Sequence, residues 1–258
     1  MRRHLPQEPW SQAALWSRHV AIFAATVAAL AVALARLRVI DPASALASLG
    51  AAVGLALVAL LLFATASFII WQTGRRGMGV ATLAAFIALL TLAWPAYLAF
   101  EALSLPTLSD IVTDIDDPPY FSLSRVADAA RNGYQPQALA PRMRAVQRAA
   151  YPDVEPIVVD MDADEALSLV LKTAKSLGWR LIDQRPAGGR TGDAHADFID
   201  QSLIMGLDED ITVRLRPLAG QTRIDLRAAT RHGRHDFGAN AQRIQAFSEE
   251  LQLQLDSR

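Results

Sequence analysis

Three stretches of this chain carry no Asp, Glu, Lys or Arg: Val20 to Ala35, Pro42 to Gly74 and Gly77 to Phe100. A helix rises about 1.5 Å per residue and the hydrocarbon core of a bilayer is about 30 Å thick, so roughly 20 apolar residues cross it. The second and third stretches exceed that length. The first reaches it when extended to Leu15 and Leu37, because the aliphatic stems of Arg18 and Arg36 let their charges snorkel towards water. Trp16, Trp71, Trp94 and Tyr97 stand towards the ends of the runs, where amphipathic rings favour the interface. Transmembrane helices are therefore predicted at about 15–37, 46–71 and 79–100, since soluble helices seldom avoid charge for so long. No acid or base falls in the middle of a run, which argues against an ion pathway or transporter. Gly50 and Gly54 form a GxxxG pair, expected to serve packing within the three-helix anchor ahead of a dimer contact. Pro95 predicts a kink near the exit of the third helix.

Charge divides the chain in two. The first 103 residues hold only Glu8, Asp41 and Glu101 as acids against seven arginines, whereas the remaining 155 hold 23 acids and 18 bases. The expected organisation is a membrane anchor over 1–103, an extended linker and docking segment over 104–155, and an α+β domain over 156–258. The second part is not globally basic, so the phosphate-backbone footprint of a nucleic-acid partner is missing. The chain has no cysteine, which excludes disulfides, thiol nucleophiles and thiolate metal sites.

Arginine placement sets the expected orientation. Arg2, Arg3, Arg18, Arg75 and Arg76 fall on one side, and Arg36 and Arg38 on the other, which leads into the acidic exit Asp110, Asp114, Asp116 and Asp117. The bias predicts a cytoplasmic N-terminus and, after three crossings, a C-terminal domain on the far side of the membrane, which in a bacterial inner (plasma) membrane is the periplasm. Were the first run a cleaved signal peptide, the remaining hairpin would leave the domain on the same side.

Leu105–Pro119 reads as a proline-stiffened linker, and its aspartates lack the glycine and distal glutamate of a calcium loop. The following "RVADAARNGYQPQALAP" reads as irregular or briefly helical chain, and "PRMRAVQRAAYP" as a short helix. "PIVVDM" is a β-branched run and an expected strand. Asp162 with Glu165 three residues on resembles a capping box ahead of the stripe Leu167, Val170, Ala174 and Leu177. Gly178 supplies the left-handed exit of that helix. "WRLIDQR" alternates as a strand, "PAGGR" turns, and "TGDAHADFIDQSLIM" gives another strand or two. "EDITVRLRPL" and "TRIDLRAAT" form a hairpin over "AGQ". Ile244, Phe247, Leu251 and Leu255 mark a closing amphipathic helix. This order predicts a mostly antiparallel sheet with helices on one face. Ile211, Val213, Leu215, Ile224 and Leu226 would face the helices, leaving Arg214, Arg216, Arg223, Asp225 and Arg227 on an open, arginine-rich face.

"LSDIVTDIDDPPYF", the "GW" after the helix, and "DEDITVRLRPLAGQTRIDLRAATRHGRHDFGANAQRI" together resemble the domain of unknown function 1499 family over most of Leu108–Leu255. Its strongest pattern, R-x-G-x-x-D-x-G-x-N-x-x-R, matches Arg231, Gly233, Asp236, Gly238, Asn240 and Arg243. The resemblance implies a bacterial envelope or plastid protein with membrane segments ahead of the domain, and brings no activity. The family often shows small hydroxyl residues between its two block arginines; here Ala228 and Ala229 stand there and Thr230 keeps one hydroxyl.

The block admits several chemistries. His232 and His235 with Asp236, and His195 with Asp197, are spaced for a metal, but no third ligand is fixed by spacing, and no metal or cofactor is expected. Asp236 with His232 or His235 offers a base for a hydrolase-like enzyme, though no nucleophile elbow accompanies it. Arg214, Arg227, Arg231 and Arg243 could converge on a phosphate or carboxylate, the natural source being a lipid head group. Alternatively Asp210, Asp225 and Asp236 pair with these arginines, while Asp236 caps the last helix and Asn240 holds the turn. The expected function is an envelope module binding an anionic or lipid ligand or a protein partner. Membrane lipids are its expected partners, and a homo-oligomer through the helices is open. An enzyme and a pure scaffold remain as alternatives.

Overall fold

Ser11 and Asp41 open the first two helices by accepting the backbone N–H of Ala14 and Ser44, and Gly74 closes the second in a left-handed conformation (φ 67°). In this computed structural model, which describes residues 8–135, 140–188 and 192–257, the helices are α1 (Gln12–Arg36), α2 (Pro42–Thr73) and α3 (Met78–Ser104). All three are long and apolar enough to cross a membrane. Arg2 and Arg3, used in the orientation argument, lie outside the described residues. Pro95 sits inside α3, which continues to Ser104.

Alanines make the contacts between these helices. Ala21 and Ala24, Ala56 and Ala59, and Ala84 and Ala88 are fully buried together, one pair per helix. Small residues permit such close backbone approach where no hydrophobic drive exists between helices in lipid. Bulky apolar side chains, among them Phe23, Leu61, Phe86 and Leu90, point outwards. Gly50 and Gly54 differ from expectation: a Cβ added at either would meet nothing within 4 Å. They do not serve packing among the three helices, which is built from the alanines instead.

The chain divides at Phe100/Glu101 into two compact units. The second holds β1 (Asp110–Val112), α4 (Arg125–Ala130), α5 (Pro141–Ala150), β2 (Ile157–Val159), α6 (Ala163–Ser176), β3 (Arg180–Arg185), β4 (Ala194–Gln201), β5 (Asp208–Pro217), β6 (Thr222–Thr230) and α7 (Ala239–Asp256). The sheet runs β1-β6-β5-β4-β3 and every pairing is antiparallel, with β2 in line with β1 on the same edge of β6. "TGDAHADFIDQSLIM" thus yields one strand, and part of the turn expected at "PAGGR" lies outside the described residues.

One face of the sheet is apolar by strict alternation. Phe198, Ile211, Val213, Leu215, Ile224 and Leu226 are buried with Leu169 and Val170 of α6 and Ile244, Phe247 and Leu251 of α7. Trp179 stacks on Phe247 with ring centroids 5.3 Å apart. Asp162 caps α6 by accepting from Asp164 N–H and Glu165 N–H, and Gly178 (φ 79°) takes the left-handed exit.

Two expectations for the rest of the domain are corrected. The stretch read as a linker is an integral part of the fold: β1 pairs with Arg227–Ala229 of β6. Gln147 of α5 bonds both backbone groups of Val112, accepting from its N–H (3.2 Å) and donating to its carbonyl (2.6 Å), so the outer edge of β1 is satisfied as another strand would satisfy it. The arginine-rich face is not open either. Residues 113–135 fold across it, and α4 packs Ala127 on Ile182 and Ile199 there. The cause is electrostatic. A face carrying this many guanidinium groups finds its counter-charges in the nearest acidic segment, the aspartates of "TDIDD".

Candidate functional site

The covered face is a buried ion-pair layer. Arg214 donates to Asp225 through Nη2 (2.8 Å) and Nε (3.2 Å), and reaches Asp117 through Nη1 (3.1 Å). Arg223 links Asp225 (2.8 Å) to Asp114 (2.6 Å). Arg227 forks onto Asp110, with Nη2 to Oδ2 at 2.6 Å and Nε to Oδ1 at 3.0 Å. Burial pushes the Asp110 carboxyl above its ordinary range, against the opposing pull of Arg227. Phe121 lies between Arg131 and Arg227, whose guanidinium carbons stand 5.2 and 4.9 Å from its ring centroid.

Arg131 anchors the layer. It is 1% exposed and donates to Asp197 through Nη2, to Asp210 through Nε (3.2 Å) and to the Ser122 carbonyl through Nη1 (2.8 Å). Asp210 also takes both prongs of Arg231, from Nε (2.9 Å) and Nη2 (2.8 Å). Asp197 is fully buried, which raises its pKa, but His195, Thr212 and Arg131 outweigh burial and hold the carboxyl below its usual value. His195 Nε2 lies 2.8 Å from Asp197 Oδ1, off the direction of a well-aligned hydrogen bond.

The block after β6 fastens α7. Asp236 accepts the N–H of Gly238 (3.0 Å) and of Asn240 (3.2 Å), while its own N–H donates to the Leu108 carbonyl (2.8 Å). Asn240 Nδ2 donates to the Ser109 carbonyl and to Thr230 Oγ1, and its Oδ1 accepts from Arg243, which also pairs with Asp200 at 2.6 Å. Burial raises the Asp236 pKa, and burial lifts that of nearby Glu209 to about 7. Gly238 (φ 78°) sits where an added Cβ would lie 2.8 Å from Leu105 Cδ1.

Each residue singled out in the sequence therefore has a position. Arg214, Arg227, Arg231 and Arg243 do not converge: each points at its own carboxylate. Asp236 carries no arginine partner among the described residues and serves the start of α7. His235 stacks on Phe237, accepts Phe237 N–H at Nδ1 and brings Nε2 to 3.3 Å from the Leu105 carbonyl; His232 is exposed. Neither histidine hydrogen-bonds Asp236 among the described residues. No group of three or more metal-ligating side chains gathers among those residues.

Grooves lie beside this layer. One, of about 840 Å³, is lined by Tyr120–Ser124, which mixes aromatic, apolar and hydroxyl side chains, by Asp183 and Arg185, and by His195. The other, of about 420 Å³, is lined by Thr107–Asp110, Tyr134, Arg142 and Met143, and by Arg231 and Arg234. Arg142 and Arg234 are exposed and have no ion-pair partner among the described residues. Sequence reasoning missed Arg131 and Arg142 altogether. The complementary charge of "TDIDD" and "RLRPLAGQTRIDLR" was the signal that could have joined the acidic segment to the sheet.

A chain with three membrane-length apolar helices, followed by an antiparallel sheet with one apolar and one ionic face, is a membrane-helix-bearing α+β protein. It belongs to the family described as protein of unknown function DUF1499, whose model matches residues 110–251. That match begins at the first residue of β1 and includes the ionic layer. No curated protein matches the chain.

Proposed function

We propose that this is a membrane-anchored module of the bacterial cell envelope, with a cytoplasmic N-terminus and a periplasmic domain that binds the phosphate of an anionic lipid head group. The smaller groove is the binding site. One observation carries the reading: Arg142 and Arg234, without ion partners among the described residues, line a groove whose wall begins at Thr107, three residues beyond the end of α3. In this reading α3 crosses the bilayer, and only a few residues separate its end from the groove wall. Each cation near an anionic lipid surface is worth about 1 kcal/mol. Arg231, held by Asp210 and 5.7 Å from the centre of the Tyr134 ring, shapes the groove wall, and its charge is already matched by that carboxylate.

In this reading Arg214, Arg227 and Arg243 are structural, because their guanidinium groups are already engaged by carboxylates. The same pairing supports the scaffold alternative for those residues. The test uses the full chain released from mixed phosphatidylglycerol and phosphatidylcholine nanodiscs and weighed by native mass spectrometry. Wild type should retain phosphatidylglycerol, and Arg142→Ala with Arg234→Ala should lose it. Equal retention by the variant, or retention of phosphatidylcholine as strongly, would sink the proposal. Competition by inorganic phosphate alone would identify a soluble anion in place of the lipid.

A further inference from the structure

We propose that the larger groove is a second, independent site that takes a neutral polyhydroxylated ligand, a glycan segment, with His195 among the groups that hydrogen-bond it. The lining has a composition that suits neither strong anions nor strong cations. Arg185, Arg214 and Arg216 share the lining with Asp117, Asp183 and Asp193, so formal charge cancels while donors and acceptors stay abundant. Sugar hydroxyls both donate and accept, and they match a wall of alternating carboxylates and guanidiniums better than any group of fixed sign. Its volume falls in the usual range for ligand pockets.

Two features look built for a ligand. His195 lines the groove with Nε2 against the buried Asp197, whose other oxygen is fixed by Arg131 and by Ser122 N–H (2.8 Å). His195 Nδ1 has no partner among the described residues and is open to a ligand hydroxyl, which can donate or accept as the ring requires. Tyr120 stands on the same wall and is 73% exposed. An exposed ring with a polar tip offers an apolar platform for the C–H face of a pyranose and a hydroxyl for its edge. In the same lining, Ser122 and Ser124 both donate to Asp183 (2.5 and 2.7 Å), orienting that carboxylate.

The full chain in lipid nanodiscs, free of maltoside detergents whose head group is itself a sugar, is titrated with chitotriose, cellotriose and maltotriose. His195 imidazole resonances and tyrosine fluorescence are followed. At least one trisaccharide should shift the His195 signals saturably. Tyr120→Ala and Arg185→Ala, both at exposed positions and so expected to fold, should weaken binding at least tenfold, and His195→Gln should do the same. No saturable shift with any of the three sugars, an unchanged affinity in Tyr120→Ala, or a response to inorganic phosphate in their place would overturn the assignment. Arg142→Ala, in the smaller groove, should leave sugar binding unchanged, so this test and the lipid test fail separately.

Discussion

Arg131 and Asp210 meet where two sequence-distant parts of the domain are tied together, the arginine from just after α4 and the aspartate from β5, Nε to Oδ1 at 3.2 Å and both fully buried. Through them the chain of contacts His195–Asp197–Arg131–Asp210–Arg231 runs without a break from the larger groove to the smaller one.

Removing the middle of that chain should be costly. Arg131→Met leaves Asp197 and Asp210 buried beside a missing charge, and breaking one side of a buried pair costs about 3–5 kcal/mol. Denaturant unfolding followed by near-UV circular dichroism should show this loss. A change below about 1 kcal/mol would mean that water already screens the layer.

Two aspartates that share Arg214 should behave differently. Asp225 is fully buried between Arg214 and Arg223, whereas the Asp117 side chain is 53% exposed. Asp225→Ala should destabilise by about 3 kcal/mol or more, and Asp117→Ala by no more than about 1 kcal/mol. Matched unfolding curves compare them directly.

Glu209 gives the domain a pH dependence. Burial lifts its pKa to about 7, above its unfolded value, so the folded state binds the extra proton between the two values. Stability from this group is greatest below the unfolded pKa, falls as pH rises, and levels off above about 7. Glu209→Gln should flatten that decline and stabilise the protein at neutral pH. The difference between wild-type and variant stability over pH 4–8 checks the sign, and a difference that shrinks on raising the pH would refute it.

Two glycines with nearly the same dihedral separate backbone strain from steric strain. Gly178 (φ 79°) has open space around its missing Cβ, while Gly238 (φ 78°) faces Leu105 Cδ1 at 2.8 Å. Gly178→Ala should cost about 1 kcal/mol, and Gly238→Ala clearly more because leucine must move as well. Equal melting temperatures for the two variants would contradict the crowding.

The apolar architecture was legible in the sequence because its signals are periodic. The uncharged runs give α1 to α3, and the alternation in "ITVRLR" and "TRIDLRA" correctly sends Ile211 to Leu226 to the helical face. The pairing of Arg214 with Asp225 was within reach for the same reason, the two lying on adjacent strands, and that of Arg231 with Asp210 follows from it, since Arg231 comes directly after β6. What alternation cannot say is what covers the other face. Polar residues at period two look the same whether they meet water or aspartates. Asp110 and Asp114 therefore carry the pattern of a linker, and Arg131, in the unpatterned "AARNG", gives no sign of its burial.

The seam between β1 and β6 decides where this polypeptide can be cut. A fragment beginning at Pro156, where strand periodicity first becomes plain, would discard Asp110, Asp114, Asp117 and Arg131 and strip the counter-ions from one side of its own interior. Such a piece would expose bare guanidiniums and aggregate or stay unfolded. A useful soluble derivative must keep Leu105, whose carbonyl touches His235, and α3 ends just one residue earlier. The scissors have almost no room.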